Sequence, residues 1–194
     1  MTRWLLIGLI GTIGTIGTMG TIGNIETIGT IDTIGTIPPS SHQSPFTLSK
    51  THDSLYHLNG FRLPYPVYRF CTGDVDGDGT PDALVGVIKK TRFHRETGRR
   101  IFIFHLVDGE PRPLWMGSKL GGILQDFRVV DKPSGKNGSA GTEDLPVSIV
   151  RSLETTTDGR YVVAEYHWEG FGLSFVRFIV KNTDKETAIK FFNQ

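Results

Sequence analysis

Cysteine is almost absent from this chain, with Cys71 standing alone. A single thiol excludes an internal disulfide framework and any Cys-rich zinc site. Net charge is almost absent too: 21 Lys plus Arg face 20 Asp plus Glu. That balance argues against a generic polyanion binder. Catalytic spacings are missing as well. The six histidines, His42, His52, His57, His94, His105 and His167, form no H-x-x-x-H or H-E-x-x-H pattern, and Ser118 and Ser148 sit in no G-x-S-x-G elbow. No catalytic constellation stands out from the composition.

What the amino terminus does have is a repeat. From Met1 to Pro45 the chain reads "MTRWLLIGLIGTIGTIGTMGTIGNIETIGTIDTIGTIPPSSHQSP", with glycine recurring every three residues from Gly8 to Gly23 and again at Gly29 and Gly35. A period of three fits neither an amphipathic helix nor a strand, and alternating Gly and Thr lower helix propensity further. Two readings follow. Arg3 followed by "WLLIGLIG" has the charged start and apolar stretch of an export signal or signal anchor, which would place the protein outside the cytoplasm, secreted, periplasmic or membrane-associated through this segment. The alternative is a functionally inert tail grown from an expanded nucleotide repeat. "PPSSHQSP" then serves as a linker, leaving residues 46–194 as one folded domain, large enough for a real core.

That domain reads as all-β, with short runs rich in Val, Ile, Phe and Tyr separated by Gly, Pro and Asp clusters. The first group of strands is expected at 66–71, 83–90, 100–107 and 111–116, and the second at 126–131, 146–153, 160–168 and 173–180. Their order makes two four-stranded antiparallel, blade-like sheets, either an incomplete propeller or a sandwich. "TRFHRETGR" is expected to be a connection between strands. Asp158-Gly159 and "EGFG" at 169–172 suit tight hairpins, "DKPSGKNGSAGTED" at 131–144 suits a mobile polar loop, and "DKETAIKFFNQ" suits a short terminal helix.

Between the first two strands lies "CTGDVDGDGTPDALVG", which places Asp74, Asp76, Asp78 and Asp82 within nine positions. Side chains at positions 1, 3 and 5 of such a loop can converge on one point, the carbonyl of Thr80 can join at 7, and Asp82 can close the shell at 9. Gly77 and Gly79 let the backbone curl between ligands. Hard oxygen donors in this number suit Ca2+, which takes six to eight of them, better than Mg2+, which keeps much of its water. Two like charges 4 Å apart repel by about 4 kcal/mol at an effective dielectric near 20, a cost that a dication removes. An EF-hand is excluded, because its twelfth position needs a bidentate Glu and here holds Val85.

"GDVDGDGTPDALVG" resembles the calcium loop of FG-GAP repeats, the units of integrin-α-type β-propellers. The resemblance implies that the loop joins the first two strands of a blade and that Asp74, Asp76, Asp78, Thr80 and Asp82 hold calcium; with one such loop and no catalytic partner beside it, the expected role is binding or scaffolding, not catalysis. It covers about thirty residues closely. "GVI" stands at Gly86 where the family has Gly-Ala-Pro, and no second Asp-rich loop accompanies "GFG" at 170–172.

Other candidates carry less. "KKTRFHRETGRR" at 89–100 is strongly basic and reads as a solvated hairpin, or as a contact for anionic glycans, lipid headgroups or phosphate through residues such as Arg92 and Arg95. Trp168 and Phe171, at a hairpin tip, are the aromatics best placed to meet a ligand. The expected partner is a protein or a glycan; no nucleic acid is expected, since no recognised motif supports one. A rival reading makes the protein a metal-assisted hydrolase of glycans or phosphoesters, with the acids near the metal.

Overall fold

Alternation of apolar side chains decides how the strands stack. The structure, a computed structural model, describes residues 44–92, 94–117, 120–131 and 147–194. The export-like segment and all but the first residue of the 131–144 connection lie outside these residues. Four strands form the middle sheet: β4 (Val67–Gly73), β5 (Asp82–Thr91), β6 (His94–Val107) and β7 (Glu110–Trp115), in that order and antiparallel. A second sheet runs β11 (Leu173–Thr183), β10 (Tyr161–Trp168), β9 (Ser148–Thr155) and β8 (Ile123–Asp131). These are the two sheets expected from sequence, in the expected strand order, and neither closes into a barrel.

The middle sheet is apolar on both faces, which is why β5 reads as a near-continuous hydrophobic run. Leu84, Ile101 and Ile103 point to one side and join Phe127, Val150, Val162, Ala164 and Tyr166 of the second sheet in a single core. Ala83, Val85, Val87, Phe102 and Phe104 point to the other side. Period-two alternation thus feeds two separate cores from the same strands.

The second of those cores has an origin that the sequence reading missed. A three-stranded sheet, β1 (Leu48–His52), β2 (Leu55–Leu58) and β3 (Phe61–Leu63), covers the outer face of the middle sheet with Phe46, Leu48, Tyr56, Leu58 and Leu63. Its signal was present: Asn59-Gly60 joins β2 to β3 with positive φ at both residues, 44° and 88°. That pair is a strong short hairpin cue. Asn59 also ties the entering chain, accepting from the Thr47 amide at 2.6 Å and donating to the Pro45 carbonyl at 2.8 Å.

The basic segment differs from expectation as well. Thr91 pairs with His94, so β5 and β6 form one long hairpin and "TRFHRETGR" is mostly strand rather than connection. β7 covers β6 only from Ile103 to Val107, which leaves the hairpin projecting from the sheet.

The outer face of the second sheet is closed by the terminal helix, α1 (Lys185–Phe192), as the sequence suggested. Ala188 and Phe192 pack on Leu153 and Val163. Asp184 caps it by accepting from the Thr187 amide at 2.9 Å. Arg128 and Arg151 donate to the carbonyls of Phe192 and Phe191 at its end, where the helix dipole is negative. From one side to the other the layers are therefore the small sheet, the middle sheet, the second sheet and the helix.

Close approach between the two large sheets demands glycine at two points. A Cβ on Gly73 would meet Val129 Cγ1 at 2.5 Å, and one on Gly86 would meet Tyr68 Cζ at 2.8 Å and Phe127 Cε1 at 2.9 Å. The need for glycine at Gly86 is steric. Across the same seam Arg69 Nε donates to Asp126 Oδ1 at 2.9 Å.

Candidate metal centre

The Asp-rich loop leaves β4 at Gly73 and re-enters the sheet at Asp82, the register at which the two strands pair. Gly77 and Gly79 hold φ of 80° and 85°, a region that side-chain-bearing residues rarely enter. These turns point successive amides inward. Asp74 Oδ1 accepts from the Gly77 amide at 2.7 Å and Oδ2 from the Gly79 amide at 2.9 Å. Asp76 accepts from Asp78 at 3.2 Å and Asp78 from Thr80 at 2.7 Å.

The result gathers three of the predicted ligands. Asp74, Asp76 and Asp78 each offer a carboxylate oxygen, and these oxygens lie within 4.8 Å of one another. Ligands of a cation bound at about 2.4 Å stand at most about 4.8 Å apart, so the group can hold a metal ion. Each carboxylate oxygen retains lone pairs beyond those used by the loop amides.

Asp82 stands apart from that trio. It is 1% exposed, and its Oδ2 accepts from the Val75 amide at 3.0 Å. Burial pushes its carboxyl up to about 7; the amides of Val75 and Asp76 pull it down, and the charges of Asp76 and Asp78 push it up. Burial also raises Asp76, where the Asp78 amide opposes and the charges of Asp78 and Asp74 assist. Burial disfavours the charged form of both carboxyls, and the neighbouring aspartates add to it. Thr80 is exposed, with its amide engaged by Asp78.

The loop is also tied to the neighbouring sheet. The Ser148 amide, at the start of β9, donates to the Asp74 carbonyl at 2.6 Å. A Cβ on Gly77 would lie 3.2 Å from Val147 Cγ2. The candidate centre therefore sits on the seam between the two large sheets, which spacing along the sequence could not reveal.

The remaining candidates are scattered. Arg92 lies in the turn of the β5–β6 hairpin and Arg95 is exposed on β6. Trp168 is half-buried against the inter-sheet core, whereas Phe171 is 86% exposed at the β10–β11 turn, so the two do not make one platform. Burial pushes the Cys71 thiol up to about 12, far from a reactive thiolate.

Two buried polar groups escaped the sequence reading because all but one of the partners named here are twelve or more residues away in the chain. Glu154 faces the inter-sheet core and accepts from Ser152 Oγ at 2.5 Å and Tyr166 Oη at 2.8 Å, while its other oxygen takes the Gly122 amide. Glu165 faces the helix side and accepts from Arg151 Nη2 and Arg177 Nε, each at 2.7 Å. Both carboxylates are fully engaged and hold elements together.

Compared with protein-family models, curated proteins and solved structures, the chain gives no match. Among the described residues no helix is long and apolar enough to cross a membrane.

Proposed function

We propose that this protein is a calcium-stiffened β-module of the FG-GAP kind with a non-catalytic role in binding or scaffolding, working outside the cytoplasm. The observation that carries the reading is the convergence of Asp74, Asp76 and Asp78 oxygens within 4.8 Å, in a loop whose amides already orient each carboxylate. Three hard oxygen donors favour Ca2+ over softer metals, and the Thr80 carbonyl, Asp82 and water would complete six to eight ligands. Calcium loops of extracellular modules bind in the range of about 10⁻⁴–10⁻³ M. Such a site fills outside cells and stays largely empty in cytosol, in keeping with the export-like amino terminus.

Calorimetric titration of the full chain with CaCl2, beside thermal melts in calcium and in EDTA, tests this. The expected result is saturable heat and a higher melting temperature in calcium, both lost in Asp76→Asn. At ten times the dissociation constant the gain is about 1.4 kcal/mol. Absence of heat at millimolar calcium, together with identical melts in calcium and EDTA, would refute the reading.

A further inference from the structure

The long β5–β6 hairpin leaves one strand edge open. β6 pairs with β5 from Phe104 back to Gly98 and again at His94, after a break in register, but β7 pairs with its other side only from Ile103 to Val107. On the side away from β5, the side-chain hydrogen bonds to the main chain of His94–Arg100 among the described residues come from the guanidinium of Arg100 itself, while Gly117, just after β7, lies against the Ile101 carbonyl and the Arg100 side chain. Arg100 Nη1 donates to the Arg99 carbonyl at 2.7 Å and Nη2 to the Glu96 carbonyl at 3.1 Å. Its Nε is buried with no hydrogen-bond partner.

Alongside this stretch runs a cleft of about 280 Å³, bounded by His94 and Glu96–Ile101 on one wall and by Leu120, Gly122–Leu124 and Thr157 on the other. Its size is just below the usual range for ligand clefts, about 300–1,000 Å³. One wall is seven residues of a single strand, so the cleft is shaped for an extended segment. Ile123, 54% exposed, gives the opposite wall apolar surface.

Charge selects the occupant. Lys89, Lys90, Arg92, Arg95, Arg99 and Arg100 cluster on the hairpin against one acid, Glu96. Among the described residues none of Arg95, Arg99 and Arg100 is in an ion pair with a carboxylate. Arg99 instead lies over the Tyr68 ring at 4.8 Å. The geometry points to a docking site for an acidic, extended peptide segment of a partner protein, which adds as a strand to the free edge of β6 between His94 and Arg100. Main-chain pairing would supply affinity, the basic side chains would supply selectivity, and Arg100 guards the edge until the peptide displaces it. The site lies at the opposite end of β5 from the Asp-rich loop, so it deepens the binding role proposed above without resting on calcium.

The test uses the full chain in EDTA and a fluorescent eight-residue peptide alternating Glu with Val, followed by anisotropy, with hydrogen exchange read over the hairpin. Expected are saturable binding, slower exchange of amides in 94–100, and a loss of about tenfold or more in affinity in the Arg95→Glu/Arg99→Glu double variant. N-methylation of alternate peptide amides should weaken binding at least as much. Three outcomes would overturn the proposal: no binding at millimolar peptide, equal binding of the N-methylated peptide, or protection of 94–100 by a sulfated oligosaccharide equal to that by the peptide. The last would mark a simple anion surface. Because Arg95 and Arg99 are exposed, the double variant should fold, which its far-UV spectrum and melt check directly.

Discussion

At the scale of single residues, the positions that matter most are those where one atom more or less cannot be absorbed. Gly86 is one. An added Cβ would lie within 2.9 Å of Arg69 Cβ and Phe127 Cε1 and 2.8 Å from Tyr68 Cζ, so Gly86→Ala must displace β4 side chains of its own sheet, Phe127 of the neighbouring sheet, or both. A destabilisation of about 1–3 kcal/mol is expected from such overpacking, read as a lower urea midpoint at unchanged slope. Glu165 is another. Burial alone would raise its carboxyl, but hydrogen bonds from Arg177 and Arg151 outweigh that and hold it below the ordinary 4.5. A carboxylate depressed in the folded state contributes stability that is present above the unfolded pKa and lost as pH falls through the folded one. Glu165→Gln should therefore be clearly less stable than the parent at pH 6–7, and the gap should narrow below about pH 4.5, where the parent carboxyl protonates as well. A gap independent of pH would show that the charge is not what counts.

Elements in this protein are stable through the faces they share. α1 has eight residues, too few to persist alone in water, and it is held by Ala188 and Phe192 against Leu153 and Val163 and by two arginines on its last carbonyls. Phe192→Ala removes the largest of these contacts. The expected outcome is loss of hydrogen-exchange protection across 185–192 while the core strands β5 and β10 keep theirs, a local release in place of global unfolding. Strand boundaries show the same dependence. The hairpin tips were legible because Asp158-Gly159 and the Asp-rich loop advertise their turns, and "DKETAIKFFNQ" was legible as a short terminal helix. The projection of β5 and β6 to Thr91 and His94 was not, since basic residues such as Arg95 and Arg99 in a paired strand look the same in sequence as residues of a loop.

Over the whole molecule, the candidate metal loop has a consequence larger than its nine residues. Asp74 is bonded through its carbonyl to Ser148 of the neighbouring sheet, so ordering the loop also orders the seam across which Leu84, Phe127 and Tyr166 pack. Calcium should accordingly raise the temperature of the main cooperative transition and not merely protect the loop amides. Calorimetry would separate the two outcomes, because local ordering alone leaves the main transition in place.

Much of the architecture was determined by the sequence alone, because period-two alternation and turn chemistry are local. The eight strands of the two large sheets, their order, the terminal helix and the convergence of Asp74, Asp76 and Asp78 all follow from residues within a few positions of one another. The small sheet was equally local in its Asn59-Gly60 cue, but its purpose was not: only the stacked structure shows that Val85, Val87, Phe102 and Phe104 need a second cover. Tertiary structure alone decided that Asp82 is buried, that Gly73 and Gly86 admit no side chain, that Glu154 and Glu165 find partners, and that among the described residues β7 pairs with β6 only from Ile103 to Val107. Each of these depends on which faces meet across gaps of tens of residues, and burial and contact at such distances are properties of the packed chain rather than of any stretch of it.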